Sequence, residues 1–397
     1  MRAHWLLDPD VVFLNHGSFG ACPRAVLEAQ SALREELERE PVRFFVRELE
    51  PRLEAARAEV AAFVGARPED LGFVRNATSG VNAVLRSLRF APGDELLATD
   101  HGYHACKNVL DYVAARSGAK VVIAKVPFPI ASEDEVLDAI LAAVTERTRL
   151  ALVDHVTSPT GLVFPIARIV EALAARGVDT LVDGAHAPGM VELDVEAIGA
   201  AYYTANFHKW TCAPKGAAML WARADKQEGL HPATISHGYD SPRPRKRFLE
   251  ELDWAGTDDP TSWLCVPVAL RWLDALAGWP AIRAHNRALA LDARRRLADA
   301  LGVALPAPDS MIGSLAALPL PPAPEAGPPP SALYALPLQR ALFDEHRIEV
   351  PVPPWPAPPA RLVRVSAHLY NTADEYRRLG DALVALLARE RDLVKSS

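Results

Sequence analysis

Between residues 53 and 222, short runs of Val, Leu, Ile and Ala alternate with longer stretches whose apolar positions recur every three or four residues. The short runs predict strands at 71–75, 95–99, 120–126, 150–156, 179–182, 202–204 and 217–221. The longer stretches predict helices at 81–88, 105–117, 133–145 and 167–176, with Ser132 as N-cap of the third. Strand–helix–strand repetition of this kind builds an α/β fold, a mostly parallel sheet covered by helices on both faces. Functional groups in such folds gather at the carboxyl ends of the strands. After residue 267 the pattern changes to a long helical region at 272–301, a helix at 336–347, a strand at 362–366 and a final helix at 374–389. Proline clusters at 319–330 and 351–359 interrupt it and read as rigid surface loops. This organisation predicts a large domain over 20–266 and a small α+β domain made of 1–19 with 267–397.

Composition narrows the class. With 397 residues, half of them apolar and 23% charged, the chain has the balance of a globular protein. A formal charge of −7 argues against nucleic acid or anionic membranes as partners. No apolar stretch approaches the ~20 residues of a membrane span, and residues 1–10 lack the apolar core of a signal peptide. Four scattered cysteines (22, 106, 212 and 265) suggest neither a zinc knuckle nor a disulfide framework. A cytoplasmic location is the expectation.

The chemistry sits in motifs that end strands. Val182-Asp183-Gly184-Ala185-His186 closes one apolar run, and Asn206-Phe207-His208-Lys209-Trp210 closes the next. A lysine amine and a strand-end carboxylate in this order suit pyridoxal phosphate. The lysine supplies a Schiff base, and the aspartate keeps the ring nitrogen protonated so that the ring accepts a carbanion's electrons. Asn76-Ala77-Thr78-Ser79-Gly80 stands between a strand and a helix, where backbone N–H groups and hydroxyls form an anion cup. Tyr103 ends another strand and offers a ring to stack on a heterocycle; Ser158 and Thr160 lie in a turn after a further one. Arg364 is a charge inside a strand-like run and needs an anionic partner, either a substrate carboxylate or an internal ion pair. Taken singly, Asp183 and residues 76–80 also read as ordinary caps, and His186 as a backbone-satisfied histidine. The glycine spacing of a nucleotide loop is missing.

In that order the motifs resemble the class V aminotransferases, fold-type-I pyridoxal-phosphate enzymes, and most of all their isopenicillin N epimerase-like branch. The likeness runs from Leu14-Asn15-His16-Gly17-Ser18-Phe19-Gly20 to His368-Leu369-Tyr370-Asn371-Thr372. By position it implies that Lys209 is the Schiff-base lysine and proton carrier, Asp183 the ring-nitrogen partner and Tyr103 the stacking residue. His186 would touch the phenolic oxygen, and Ser158 would also contact the cofactor. Ala77, Thr78, Asn206 and His208 would hold the phosphate. Thr257 would reach the phosphate of a neighbouring subunit, which implies a homodimer with shared sites. Arg364 would take the substrate α-carboxylate, with Asn15 and His16 lining the substrate side. No metal is implied. Residues 348–361 contain no cysteine, so the resemblance does not extend to persulfide-forming desulfurases. The reaction expected is α-proton removal from an amino-acid-type substrate, epimerase-like, with a C–S lyase or an aminotransferase as alternatives. Epimerisation needs a second acid, for which Tyr103, His16 and His101 are the candidates.

Overall fold

The computed structural model describes residues 1–324 and 336–396, and side chains up to 393. The apolar runs form a seven-stranded sheet: β1 (Leu71–Val74), β2 (Glu95–Thr99), β3 (Lys120–Ala124), β4 (Thr148–Asp154), β5 (Asp179–Asp183), β6 (Tyr202–Asn206) and β7 (Ala218–Ala222). Their spatial order is β1-β7-β6-β5-β4-β2-β3, and only β7 runs antiparallel to its neighbours.

Alternation along each strand sends neighbouring side chains to opposite faces. In β4, Leu150 and Leu152 join one buried cluster while Ala151 and Val153 join another. Both clusters are covered, which is why these strands read as near-continuous apolar runs. On one face lie α3 (Ala77–Ser87) and α4 (His104–Ser117); α5 (Glu133–Ala142) and α6 (Ile166–Ala174) pack into the opposite cluster. That larger cluster also takes in α1 (Arg24–Arg39) and α2 (Leu49–Val64).

Helix α3 begins four residues before the apolar pattern does. The Asn76 side chain accepts the Ser79 N–H at 2.8 Å, so the polar segment 77–80 is its first turn rather than a loop. Ser132 stands at the N-cap of α5 as expected, but its side chain makes no capping bond. The predicted helix 272–301 is two helices, α7 (Val266–Ala277) and α8 (Trp279–Leu301), separated by Gly278 at φ 77°. Proline after Trp279 suits the first turn of a new helix and not the interior of an old one.

Beyond α8, β8 (Leu315–Leu320) pairs antiparallel with β9 (Arg361–Ser366), flanked by α9 (Pro337–His346) and α10 (Ala373–Ser396). The N-terminal strand Val12–Phe13 pairs with Ile348–Glu349, which brings residues 14–20 against this part of the molecule. Of the proline cluster 319–330, residues 325–330 lie outside those described. Among the described residues no helix is long and apolar enough to cross a membrane.

Candidate active site

The carboxyl ends of β2, β4, β5 and β6 lie along one edge of the sheet, and the amino end of α3 adjoins them. β5 ends in Asp183 and β6 in Asn206, whose side chain accepts the Ala77 N–H at 2.8 Å and so fixes the first turn of α3. The Thr78 N–H and hydroxyl have no protein partner among the described residues, and they remain available to an anion at this helix terminus. His208 hydrogen-bonds the Ala217 carbonyl through Nδ1 at 3.2 Å, and burial lowers its pKa to about 4, so it is neutral.

Lys209 Nζ lies 3.0 Å from Nε2 of His186, and the Trp210 indole N–H donates to Nδ1 of the same ring at 3.3 Å. An indole only donates, so Nδ1 is bare and the neutral imidazole carries its proton on Nε2, facing the lysine. That contact is satisfied by an amine lone pair and not by an ammonium group. The electrostatics favour the neutral form more than in an ordinary lysine. Burial, then the charge of Arg364, lowers the Lys209 pKa to about 8, against the opposing pull of Asp183 and Asp154.

Asp183 is buried. Its two oxygens accept the Ala185 N–H at 3.0 Å and the Cys106 thiol at 3.2 Å. Burial raises its pKa, and no ion pair compensates it among the described residues. A protonated ring nitrogen is the kind of group such a carboxylate lacks. Asp154, in register with Asp183 on the adjacent strand, is a second buried carboxyl whose pKa is raised well above the usual range by burial and by Asp183. Sequence reasoning passed over it, although Val153-Asp154-His155 ends its apolar run in the same manner as Val182-Asp183.

Arg364 is buried on β9. One guanidinium nitrogen donates to the Ser158 carbonyl at 2.6 Å and its hydroxyl at 3.3 Å; another donates to the Ser18 hydroxyl at 2.9 Å. Its Nε is without a partner, and no internal ion pair joins it among the described residues. Burial lowers its pKa to about 10, which leaves it charged at neutral pH. Of the two readings open from the sequence, the internal ion pair is not found among the described residues.

The remaining residues fall in three places. Tyr103, 41% exposed, caps α4 at the pocket mouth, close enough for its hydroxyl to influence Arg364. Asn15 acts through Ser18, accepting its hydroxyl at 2.5 Å while donating to Glu349 at 3.0 Å. His16 is fully buried behind the lysine: its Nε2 meets the Lys209 carbonyl at 2.9 Å, its Nδ1 the Tyr370 hydroxyl at 2.6 Å, and its ring stacks on His368 at 4.2 Å. His101 likewise spends both ring nitrogens, on Thr160 at 2.7 Å and on the Val126 carbonyl at 3.1 Å. Neither histidine has a ring nitrogen free for a substrate. Thr257 is exposed and lines a separate cleft with Phe45, Phe73, Trp254 and Trp263, which Ser79 of α3 also borders. In the loop 351–359, Trp355 donates to the Asp100 carbonyl at 3.3 Å and packs edge-on against His101 at 4.7 Å. That proline-rich loop is therefore strapped to the turn that carries Tyr103.

A lysine amine with a lowered pKa, a buried carboxylate without a cation among the described residues and an anion-ready helix terminus fit pyridoxal phosphate. Comparison with known proteins agrees. The family model "Aminotransferase class-V" matches residues 20–320. The chain is 38% identical to the isopenicillin N epimerase of Streptomyces clavuligerus, covering 97% of each. It is 32% identical to a probable chloroplastic L-cysteine desulfhydrase of Arabidopsis thaliana, over 96% of this chain and 84% of the relative. Its fold superposes on a cystine C–S lyase, solved with its product cysteine persulfide, at a TM-score of 0.77 and 21% identity, over 95% and 98% of the two chains. The chain belongs to the class V aminotransferase family, the fold-type-I enzymes built around pyridoxal phosphate.

Proposed function

We propose that this chain is an epimerase-like enzyme that removes and returns the α-proton of an amino acid or amino-acid conjugate. The observation that carries the reading is the Lys209 amine, 3.0 Å from His186 with its pKa lowered to about 8, near a buried arginine that has no counterion among the described residues. The 38% identity to an isopenicillin N epimerase over nearly the whole chain supports the reaction type.

Pyridoxal phosphate, when bound, supplies an aldehyde for imine formation and a ring that accepts the electrons left by the α-proton. Lys209 would hold it covalently, Asp183 would face its ring nitrogen, and His186 its phenolic oxygen. Tyr103 would cover the ring, Ser158 would contact the cofactor, and Ala77, Thr78, Asn206 and His208 would receive the phosphate. Arg364 binds the substrate carboxylate with a guanidinium already oriented by Ser18 and Ser158, so that the α-proton faces Lys209. Lys209 takes that proton as a neutral amine. Tyr103 is the proposed acid on the opposite side, because His16 and His101 have no ring nitrogen to offer. Exposed Thr257, beside the first turn of α3, is read as a residue shared across a homodimer, with the enzyme acting in the cytoplasm on a small molecule.

A second reading, elimination at a cysteine conjugate, is favoured by the 32% identity to a cysteine desulfhydrase. Persulfide transfer is not proposed: all four cysteines are buried and none lies in 348–361. Incubating the holoenzyme with an amino-acid panel in heavy water separates these readings. Deuterium gain at the α-carbon without new products is the expected result. Pyruvate with ammonia identifies the lyase, and a keto acid with the cofactor in its amine form identifies a transaminase; either outcome ends the epimerase assignment.

A further inference from the structure

Asp154 ends β4 in register with Asp183 on β5, and both side chains point to the sheet face that carries α4. It is 4% exposed and makes no ion pair among the described residues. Its carboxyl instead faces the backbone N–H groups of Tyr103 and Ser158, which favour its charged form against the effect of burial. These belong to different loops. Tyr103 closes the turn after β2 and opens α4. Ser158 lies in the turn after β4, and its carbonyl and hydroxyl hold the Arg364 guanidinium at 2.6 and 3.3 Å. The turn after β2 packs closely on Asp154, since a Cβ added at Gly102 would stand 3.9 Å from Oδ1.

We propose that Asp154 is the positioning residue of this site, joining the loop of the ring-covering tyrosine to the loop that aims the carboxylate-binding arginine. The chain of contacts runs from the Tyr103 N–H through the Asp154 carboxyl to the Ser158 N–H, and from Ser158 to Arg364. His101 and Thr160 already join the same two loops at 2.7 Å, and Asp154 adds the anchor that lies next to Ser158 and so bears on Arg364. A buried carboxyl is well suited to this because it presents two acceptor oxygens that a hydroxyl or amide cannot match. Asp183 beside it keeps its own donors, Cys106 and Ala185, so two side chains divide two tasks, one facing the cofactor and one holding the walls.

This inference rests on the pyridoxal-phosphate reading but not on which reaction follows. The test uses holoenzyme and reads binding rather than turnover. Absorbance titration gives the affinity for glycine, which carries a carboxylate, and for methylamine, which does not. Wild type should prefer glycine. Asp154→Ala should release pyridoxal phosphate about tenfold more readily and lose most of the glycine preference, the loss expected of one or two buried hydrogen bonds. Asp154→Asn, which keeps one acceptor oxygen, should fall between them, and it carries the test should the alanine variant not fold. A glycine preference in either variant equal to wild type overturns the assignment. So does an asparagine variant as impaired as the alanine one, because charge rather than acceptor geometry would then be the cause. Wild-type protein that takes up no pyridoxal phosphate removes the functional reading and this inference together, a result distinct from wild type and variants binding alike.

Discussion

A lysine amine in water stays protonated to about pH 10.4 and is a poor base at neutrality. Lys209 differs because burial and the Arg364 charge lower its pKa to about 8. The neutral form therefore prevails above pH ~8 and falls away below it, whereas a surface lysine reaches the same point only near pH ~10.4. In cofactor-free protein, competitive labelling of Lys209 should rise with a midpoint near 8; a midpoint near 10 would show that the pocket does not tune it. Replacing Lys209 with alanine should cut turnover by at least ~10²–10⁴-fold, the usual contribution of a positioned proton carrier. Retained activity would remove it from the mechanism. Arg364→Lys keeps the charge but loses the fork that spans Ser158 and Ser18. It should weaken substrate affinity by ~10–100-fold with little change in the spectrum of the bound cofactor, the loss expected for a charge-assisted hydrogen bond. Lys209, Asp183 and Arg364 were each legible as residues, since each breaks an apolar pattern in a place that needs a reason. Asp154 breaks one in the same way, yet only the register with Asp183 shows what it adjoins.

Among the elements, α3 and β6 set the anion end of the pocket. Gly80 on α3 faces Thr204 on β6 so closely that a Cβ would stand 2.1 Å from Oγ1 and 2.8 Å from the Thr204 Cβ. Rotating the threonine does not relieve the second contact. Helix propensity favours Gly80→Ala by ~1 kcal/mol, but overpacking of this kind costs ~1–3 kcal/mol and moves the helix. The variant should melt lower and hold pyridoxal phosphate less tightly. Adding Thr204→Ala removes the 2.1 Å contact but keeps the Cβ, so it should recover part of both losses, a coupling that equilibrium unfolding of the single and double variants would reveal; strictly additive effects would contradict it. Every strand of the large sheet was legible to within a few residues, because burial on both faces leaves an uninterrupted apolar run. Helix α3 was misplaced at its start for a physical reason: its first turn, 77–80, is polar and small, and an asparagine cap rather than apolar periodicity opens it.

At the scale of the molecule, the structure encloses an unusual number of neutral histidines. Burial lowers His155 and His208 to about 4 and His16 to about 3, and it pushes His186 and His368 well below their ordinary value. Between pH ~6.5 and ~4 the unfolded chain binds protons that the folded one refuses, so stability falls as pH falls through that window. Asp154 and Asp183, whose pKa values are raised, act in the opposite sense, but the buried histidines, His101 among them, outnumber them. Guanidinium unfolding of cofactor-free protein should give a clearly lower midpoint at pH 5 than at pH 7.5. An equal or higher midpoint at pH 5 would mean that these rings are not neutral in the fold.

The order of apolar runs was enough to establish an α/β sheet, and the residues ending those runs were enough to name a lysine, an aspartate and an arginine as chemically significant. Both are local properties, written as burial and its interruption along a single strand. Distance in sequence hid the rest. That Trp210 sets the proton on His186, that His16 is enclosed behind the lysine backbone, and that Arg364 has no ion-pair partner depend on which strands and loops lie side by side. Arg364 and Ser158 are 206 residues apart in the chain, and no periodicity connects them; packing of β9 against the mouth of the large sheet is what makes them neighbours.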